Sequence, residues 1–376
     1  MVHTGLDVWI GNSAPELQAM RLGLVSHPAA VLSDLTGAVD ALRNAGYKLT
    51  ALFGPEHGFG GAALDGAHIS NTIDPHTGLP VFSLYGDTRE PTAEMLADVD
   101  ALVFDMQDVG VRFYTYLSTL FYVLRGAAKT GKPVYVLDRP NPITGSRVEG
   151  GPIMPGFESF VGIINIPIRH GMTLGELARY MNEENALDAD LHVIEMQGWQ
   201  RQMWFDETGL PWIPTSPAMP HLSTATLYPG MCFLEGTSLS PGRGSALPFE
   251  ICGAPWIDGY ALAEELNRLQ LPGVCFRAIT FTPALSTHAG TECYGVQVHV
   301  TDRNSLRPVE MALHLIAVAR CLSGDAWAWN LHFDRLAGDS AVRSALDAGV
   351  RVDEIIASWE EAISTFIHQR EKYLLY

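Results

Sequence analysis

The sequence predicts an α/β protein: a mostly parallel sheet domain sandwiched by helices, then an α+β second domain. Three observations carry that reading. Apolar runs alternate with helix-like segments through the first half of the chain. Those runs are apolar at successive positions, as strands covered on both faces require. Past residue 210 proline becomes dense, and the later strands lengthen and alternate in character.

The elements follow in order. "RLGLVS" (21–26) is a short apolar strand, followed by a helix over 33–45, "SDLTGAVDALRNA", which Gly46 stops. "YKLTALF" (47–53), "LPVFSLY" (79–85) and "DALVFDM" (100–106) read as further strands. "YLSTLFYVLRGAAKTG" (116–131) has helical apolar spacing and a glycine stop, and 133–137 is a strand closed by the turn of "DRPNP". "FVGIINIPIRHG" (160–171), "TLGELARYMNEEN" (173–185) and "ADLHVIEMQGW" (189–199) look like one more strand–helix–strand unit. Pro211, Pro214, Pro217, Pro220 and Pro229 then mark a boundary, giving domains 1–210 and 211–376. Beyond it, 274–283 and 294–302 read as long strands, with helices near 257–270, 308–322 and 352–371.

Composition limits what such a fold does. The chain has 376 residues and a formal charge of -18, without a basic run, which disfavours nucleic acid and anionic lipid as partners. No apolar segment is long enough to span a bilayer, so membrane insertion is not expected. Five scattered cysteines, Cys232, Cys252, Cys275, Cys293 and Cys321, read as buried free thiols in a reducing compartment. No signal peptide is seen, so a cytoplasmic location is expected, with export left open. Oligomeric state has no signature.

Polar groups cluster at the same end of successive strands. After 47–53 come Glu56 and His57; 100–106 delivers Asp105, followed by Gln107, Asp108, Arg112, Tyr114 and Tyr116; 133–137 is followed by Asp138, Arg139 and Asn141. In open parallel sheets ligands sit outside the carboxyl ends of the strands, so these residues should meet at one crevice. Plain structural roles compete: Asp105 could cap a helix or pair with Arg112, Asp138-Arg139 could be a turn with a local ion pair, and His57 could only orient Glu56 or its loop. Tyr114 and Tyr116 suit either a half-buried wall or stacking on sugar rings.

"GFGGAA" (58–63) has the glycine spacing of a dinucleotide fingerprint. "PEH" intervenes after the strand, and "LDGAHISNTIDPHTG" cannot form the helix that fingerprint opens, so no nucleotide cofactor is expected. Glu56, His57, Asp105, Asp108 and His170 have metal-ligand chemistry without diagnostic spacing, and no metal is assigned. In the second half, Glu235 is read as following a strand and Arg243 as sitting in a Gly/Ser/Pro loop suited to a carboxylate. His288 and Glu292 precede a strand, and Asp334 reads as pairing with Arg335.

"ALFGPEHGFGG", "DVDALVFDMQDVGVRFYTY", "VLDRPNPITG", "PIRHGMTLGELA", "LYPGMCFLEGTSLSPGRG" and the closing "REKYLLY" resemble, in order and across the whole chain, the exo-β-N-acetylmuramidase (NamZ-like) family. The resemblance implies a Rossmann-like domain, a smaller second domain and an active site in the cleft between them. It implies release of terminal N-acetylmuramic acid from the non-reducing end of peptidoglycan-derived muramyl sugars. The family's proposed catalytic glutamate falls on Glu56, with His57, Asp105 and Asp108 as the matching polar groups.

On this reading Glu56, beside an apolar strand end, is the general acid. Asp105 or Asp108 is either the second carboxylate or the orienter of the substrate's own acetamido group. The lactyl carboxylate of muramic acid needs a cation, for which Arg112, Arg169 and Arg243 are candidates. Tyr114, Tyr116, Asp138, Arg139, Asn141, His170 and Glu235 complete the expected binding surface. A non-catalytic sugar-binding protein and a metal-dependent hydrolase are the alternatives.

Overall fold

The structure is a computed structural model that describes residues 1–12 and 15–376. Among the described residues seven strands form the main sheet: β1 (Arg21–Ser26), β2 (Lys48–Gly54), β3 (Thr72–Ile73), β4 (Pro80–Ser83), β5 (Ala101–Asp105), β6 (Val134–Leu137) and β7 (Leu191–Ile194), in the order β3-β4-β2-β1-β5-β6-β7. All pairings are parallel except β3 on β4. The chain leaves β1 toward β2 on one side and returns to β5 on the other. The crevice of a doubly wound sheet therefore opens above β1 and β5, where Ser26 pairs with Asp105.

The central strands β1, β2, β5 and β6 are apolar and buried along most of their length because both faces are covered. In β5, Ala101 and Val103 join a core with Leu6, Trp9 and Leu42 of the helices Gly5–Gly11 and Ala38–Asn44. Leu102 and Phe104 point the other way, into the core of the helices Thr115–Thr130 and Leu174–Glu184. That second core continues into the C-terminal part, where Phe113 packs edge-on against Tyr228 and Phe233. There a small antiparallel sheet, β8 (Ile251–Ala254), β9 (Val274–Phe281) and β10 (Cys293–Val300), has the order β8-β10-β9 and packs with the helices Gly259–Arg268 and Pro308–Ser323.

Several sequence expectations shift. Residues 160–171 form no strand. They cross the rim as a loop that bridges Arg169 to Val111 and Glu149, in keeping with the turn chemistry of Gly162, Pro167 and Gly171. The helix expected over 33–45 begins only at Ala38, and that over 352–371 is broken into Val352–Ala357 and Glu360–Arg370. Glu235 follows the helix Leu222–Met231, within a 3-10 turn, and not a strand. Asp334 pairs with Arg343 of the next helix, Ala341–Asp347, and not with its neighbour Arg335. All five cysteines are free, but Cys275 and Cys321 are exposed.

Candidate active site

The chain leaves β2 through Gly54-Pro55 and turns sharply. A Cβ on Gly54 would lie 2.4 Å from the Phe59 nitrogen, so only glycine allows the return. His57 sits at φ +70°, a left-handed conformation costly for a residue with a side chain. Two bonds hold it there: its Nδ1–H donates to the Ala63 carbonyl at 2.8 Å, and Ala63 N–H donates back to the His57 carbonyl. His57 thus fastens the loop 57–63; no bond joins it to Glu56 among those seen.

Glu56 is 9% exposed. Its Oε1 accepts from Gly66 N–H at 3.0 Å and its Oε2 from Thr115 Oγ1 at 2.7 Å, Thr115 being the first residue of the helix Thr115–Thr130. The Tyr85 phenol is a further neighbour: burial first, then the charge and hydrogen bonding of Glu56, push it up to about 12. No arginine or lysine forms an ion pair with Glu56 among the described residues. The carboxylate is held by neutral donors only.

The other rim carboxylates are more heavily engaged. Asp105 is fully buried and meets Arg139 through two parallel bonds, Nε to Oδ1 at 2.5 Å and Nη2 to Oδ2 at 2.9 Å. Neither the expected cap nor the Asp105–Arg112 pair forms. Arg139 also donates to the Val31 carbonyl, and its backbone N–H to Asp138. Asp138 accepts from Thr173 Oγ1, Gly175 N–H and the hydroxyl of Tyr376, so it anchors the end of the chain beneath the rim. Asn141 is buried between the Met172 carbonyl and Ile143 N–H.

Asp108 differs. One oxygen accepts from Gly110 N–H at 2.6 Å, and Oδ1 is buried with no partner. Burial pushes this carboxyl up to about 7. His170 lies 4.0 Å away; its Nδ1 accepts from Met172 N–H, so Nε2 carries the proton of the neutral ring and faces Asp108 unpaired. Burial, with Arg370 and Arg112 nearby, pushes His170 down to about 3. His27, which the sequence reading missed, sits at the end of β1: its Nε2 accepts from Gln107 N–H at 2.9 Å, and its ring meets Tyr116 edge-on. Burial, then the charge of Arg139, also push His27 down to about 3.

The expected sugar contacts are redistributed. Tyr114 and Tyr116 are buried, and both hydroxyls bond to Thr215, so neither ring offers a free face. Arg112 is 0% exposed and donates to the carbonyls of Gly151, Ile166, Leu336 and Ala337. Arg169 is buried against Glu149 and the Ile143 carbonyl. These two guanidiniums hold backbone and are closed to a ligand. Arg243, 12% exposed, is clasped between Glu235 and Asp65, next to the Gly66 amide that holds Glu56. Among the described residues no cluster of three or more His, Cys, Asp or Glu side chains could hold a metal ion, and no helix is long and apolar enough to cross a membrane.

Residues 22–223 match the family described as exo-beta-N-acetylmuramidase NamZ, N-terminal, and residues 226–376 match its C-terminal counterpart. The chain is 46% identical over 378 residues to the peptidoglycan beta-N-acetylmuramidase NamZ of Bacillus subtilis (strain 168), covering 100% of this chain and 91% of that relative. Two crystal structures of DUF1343 family proteins from Bacteroides fragilis NCTC 9343 superpose over 100% of this chain and 99% of theirs. Their TM-scores are 0.92 and 0.82, at 37% and 31% identity.

Proposed function

The chain belongs to the exo-beta-N-acetylmuramidase NamZ family, and from that premise we propose that it releases N-acetylmuramic acid from the non-reducing end of peptidoglycan fragments, with Glu56 as general acid/base. One observation supports the choice of Glu56 above the rest: it joins neutral donors alone to the greatest exposure of the four rim carboxylates, 9% against 6% for Asp108 and 0% for Asp105 and Asp138. A proton donor to the leaving oxygen must be free of a fixed cation, because a guanidinium partner would keep it ionised. Asp105 fails that requirement, being locked on Arg139.

Asp108 is the second carboxyl in this reading. Its partnerless oxygen and its pKa near 7 suit a group that exchanges a proton or donates a hydrogen bond to the 2-acetamido group. With Asp108 as nucleophile, a glycosyl-enzyme ester forms at the anomeric carbon. With the acetamido oxygen attacking instead, a cyclic intermediate forms and no ester links sugar to protein. In both routes Glu56 gives its proton to the leaving oxygen and then takes one from the attacking water.

The test is a muramyl-glucosamine disaccharide offered to the wild type and to Glu56→Gln. The wild type should release N-acetylmuramic acid, and the variant should lose about 10²–10⁴-fold in rate while keeping its melting temperature. Unchanged turnover by the variant removes Glu56 from the reaction. Binding without product would instead indicate a sugar-binding protein, and loss of activity on chelation would indicate a metal-dependent hydrolase.

A further inference from the structure

A muramic acid glycoside is an anion, and its lactyl carboxylate needs a cation within reach of Glu56. The arginines nearest the rim are already committed. Arg112 and Arg169 are buried on carbonyls and on Glu149, Arg139 is bonded to Asp105, and Arg243 is neutralised by both Glu235 and Asp65. A ligand carboxylate at Arg243 would have to displace one of two anions of its own sign.

Arg89 is different in each respect. It follows β4, is exposed, and has no carboxylate within ion-pair distance among the described residues. Its guanidinium carbon lies 4.1 Å from the centre of the Phe160 ring and 5.8 Å from that of Tyr85. The Phe160 ring is in turn 5.5 Å from Tyr85 and stacks on Tyr122, so the guanidinium rests on a rigid aromatic shelf. Tyr85 links this shelf to the reaction centre, because its phenol feels both the Glu56 carboxylate and the Arg89 charge. A cation stacked by its face keeps its N–H edge free, and that edge matches a carboxylate bidentately.

We propose that Arg89, set on Phe160 and Tyr85, is the specificity residue that binds the lactyl carboxylate of the terminal muramic acid. The assignment rests on the muramidase reading above and deepens it. It accounts for how a site whose other cations are internally paired distinguishes muramic acid from N-acetylglucosamine, the two sugars differing only by the lactyl ether.

The experiment compares wild type, Arg89→Ala and Arg89→Lys by calorimetry with free N-acetylmuramic acid and with N-acetylglucosamine, and by turnover of the muramyl-glucosamine disaccharide. Arg89 is exposed, and an unchanged melting temperature verifies the fold of each variant. In Arg89→Ala the preference for muramic acid over glucosamine should fall about 10- to 100-fold, the worth of a charge-assisted pair. KM should rise more than kcat falls, and Arg89→Lys should restore part of the preference. A wild type that binds and cleaves the muramyl sugar, with an alanine variant of unchanged preference, overturns the role of Arg89 alone. Equal loss for both sugars overturns it too, since that is the mark of a structural residue. A wild type that neither binds nor cleaves a muramyl sugar overturns the functional reading and the Arg89 assignment with it.

Discussion

Replacing Asp108 by asparagine should stabilise the fold at neutral pH while removing activity. In the unfolded chain this carboxyl titrates at its ordinary 3.8, and in the fold burial pushes it up to about 7. Between those values the folded protein keeps a proton that the unfolded chain has released. The stabilising contribution is therefore complete below about pH 4 and is lost as pH rises through about 7. At about 1.4 kcal/mol per pKa unit, the gap sets a ceiling of about 4 kcal/mol. Between about pH 5 and about pH 8 the change amounts to about 2–3 kcal/mol. An asparagine cannot titrate, so urea denaturation should show the variant's stability, relative to wild type, rising by that amount over the interval. Asp138, also raised to about 7, titrates in both proteins and drops out of the difference. A gap between variant and wild type that stays constant with pH would refute the reasoning, since Asp108 would then be ionised in the fold as readily as out of it.

The histidines should behave oppositely. His27 and His170, pushed down to about 3, favour the fold above their ordinary 6.5 and withdraw that stability as pH falls toward 3, so His170→Asn should lessen acid destabilisation by about 3 kcal/mol near pH 4, read by urea titration. Arg112→Met should cost about 3–5 kcal/mol in chemical denaturation by leaving four carbonyls without their donor, whereas a ligand-binding arginine would leave stability intact. Arg243→Ala should lower kcat about 10-fold with little effect on melting temperature, because it frees Asp65 beside the Gly66 amide on Glu56. Substrate turnover under saturating conditions separates that effect from a change in binding.

The sheet and its rim were legible in the sequence because strands covered on both faces are continuous apolar runs, and the polar groups that end them must lie at one edge. Glu56 and Asp108 both act on the Tyr116 phenol, and Arg139 joins Asp105 to Asp138. What each does was not legible, because partners come from elements far away in the chain. Asp105 meets Arg139, 34 residues on, and Arg112 meets Leu336 and Ala337, more than two hundred on; no local pattern encodes either. For Tyr114 and Tyr116 the sequence leaves both a wall and a sugar-stacking face open, because their spacing shows nothing of Thr215, which covers both hydroxyls. Arg89 was overlooked for the converse reason: its surroundings, Tyr85 and Phe160, are brought together only by the fold.

The charges of the rim follow one physical scheme. A chain of net charge -18 would repel an anionic sugar, and its formal cations near the crevice are mostly consumed by its own carboxylates and carbonyls. Beneath the rim, Asp108, His170 and His27 share the low-dielectric interior as groups pushed toward their neutral forms. Such an interior stores little net charge, so a proton moved at Glu56 is not compensated by a fixed ion next to it. The stability trends of the two histidines and the two raised aspartates oppose one another between about pH 4 and about pH 6.5, and the fold can hold that neutral interior across the interval without a steep loss in either direction. The aspartate loss runs unopposed only between about pH 6.5 and about 7, and it is complete once Asp108 and Asp138 ionise inside the protein. A site arranged in this way should show a flat stability above about pH 7 while its proton-transfer competence falls, because an ionised Asp108 no longer has a proton to give.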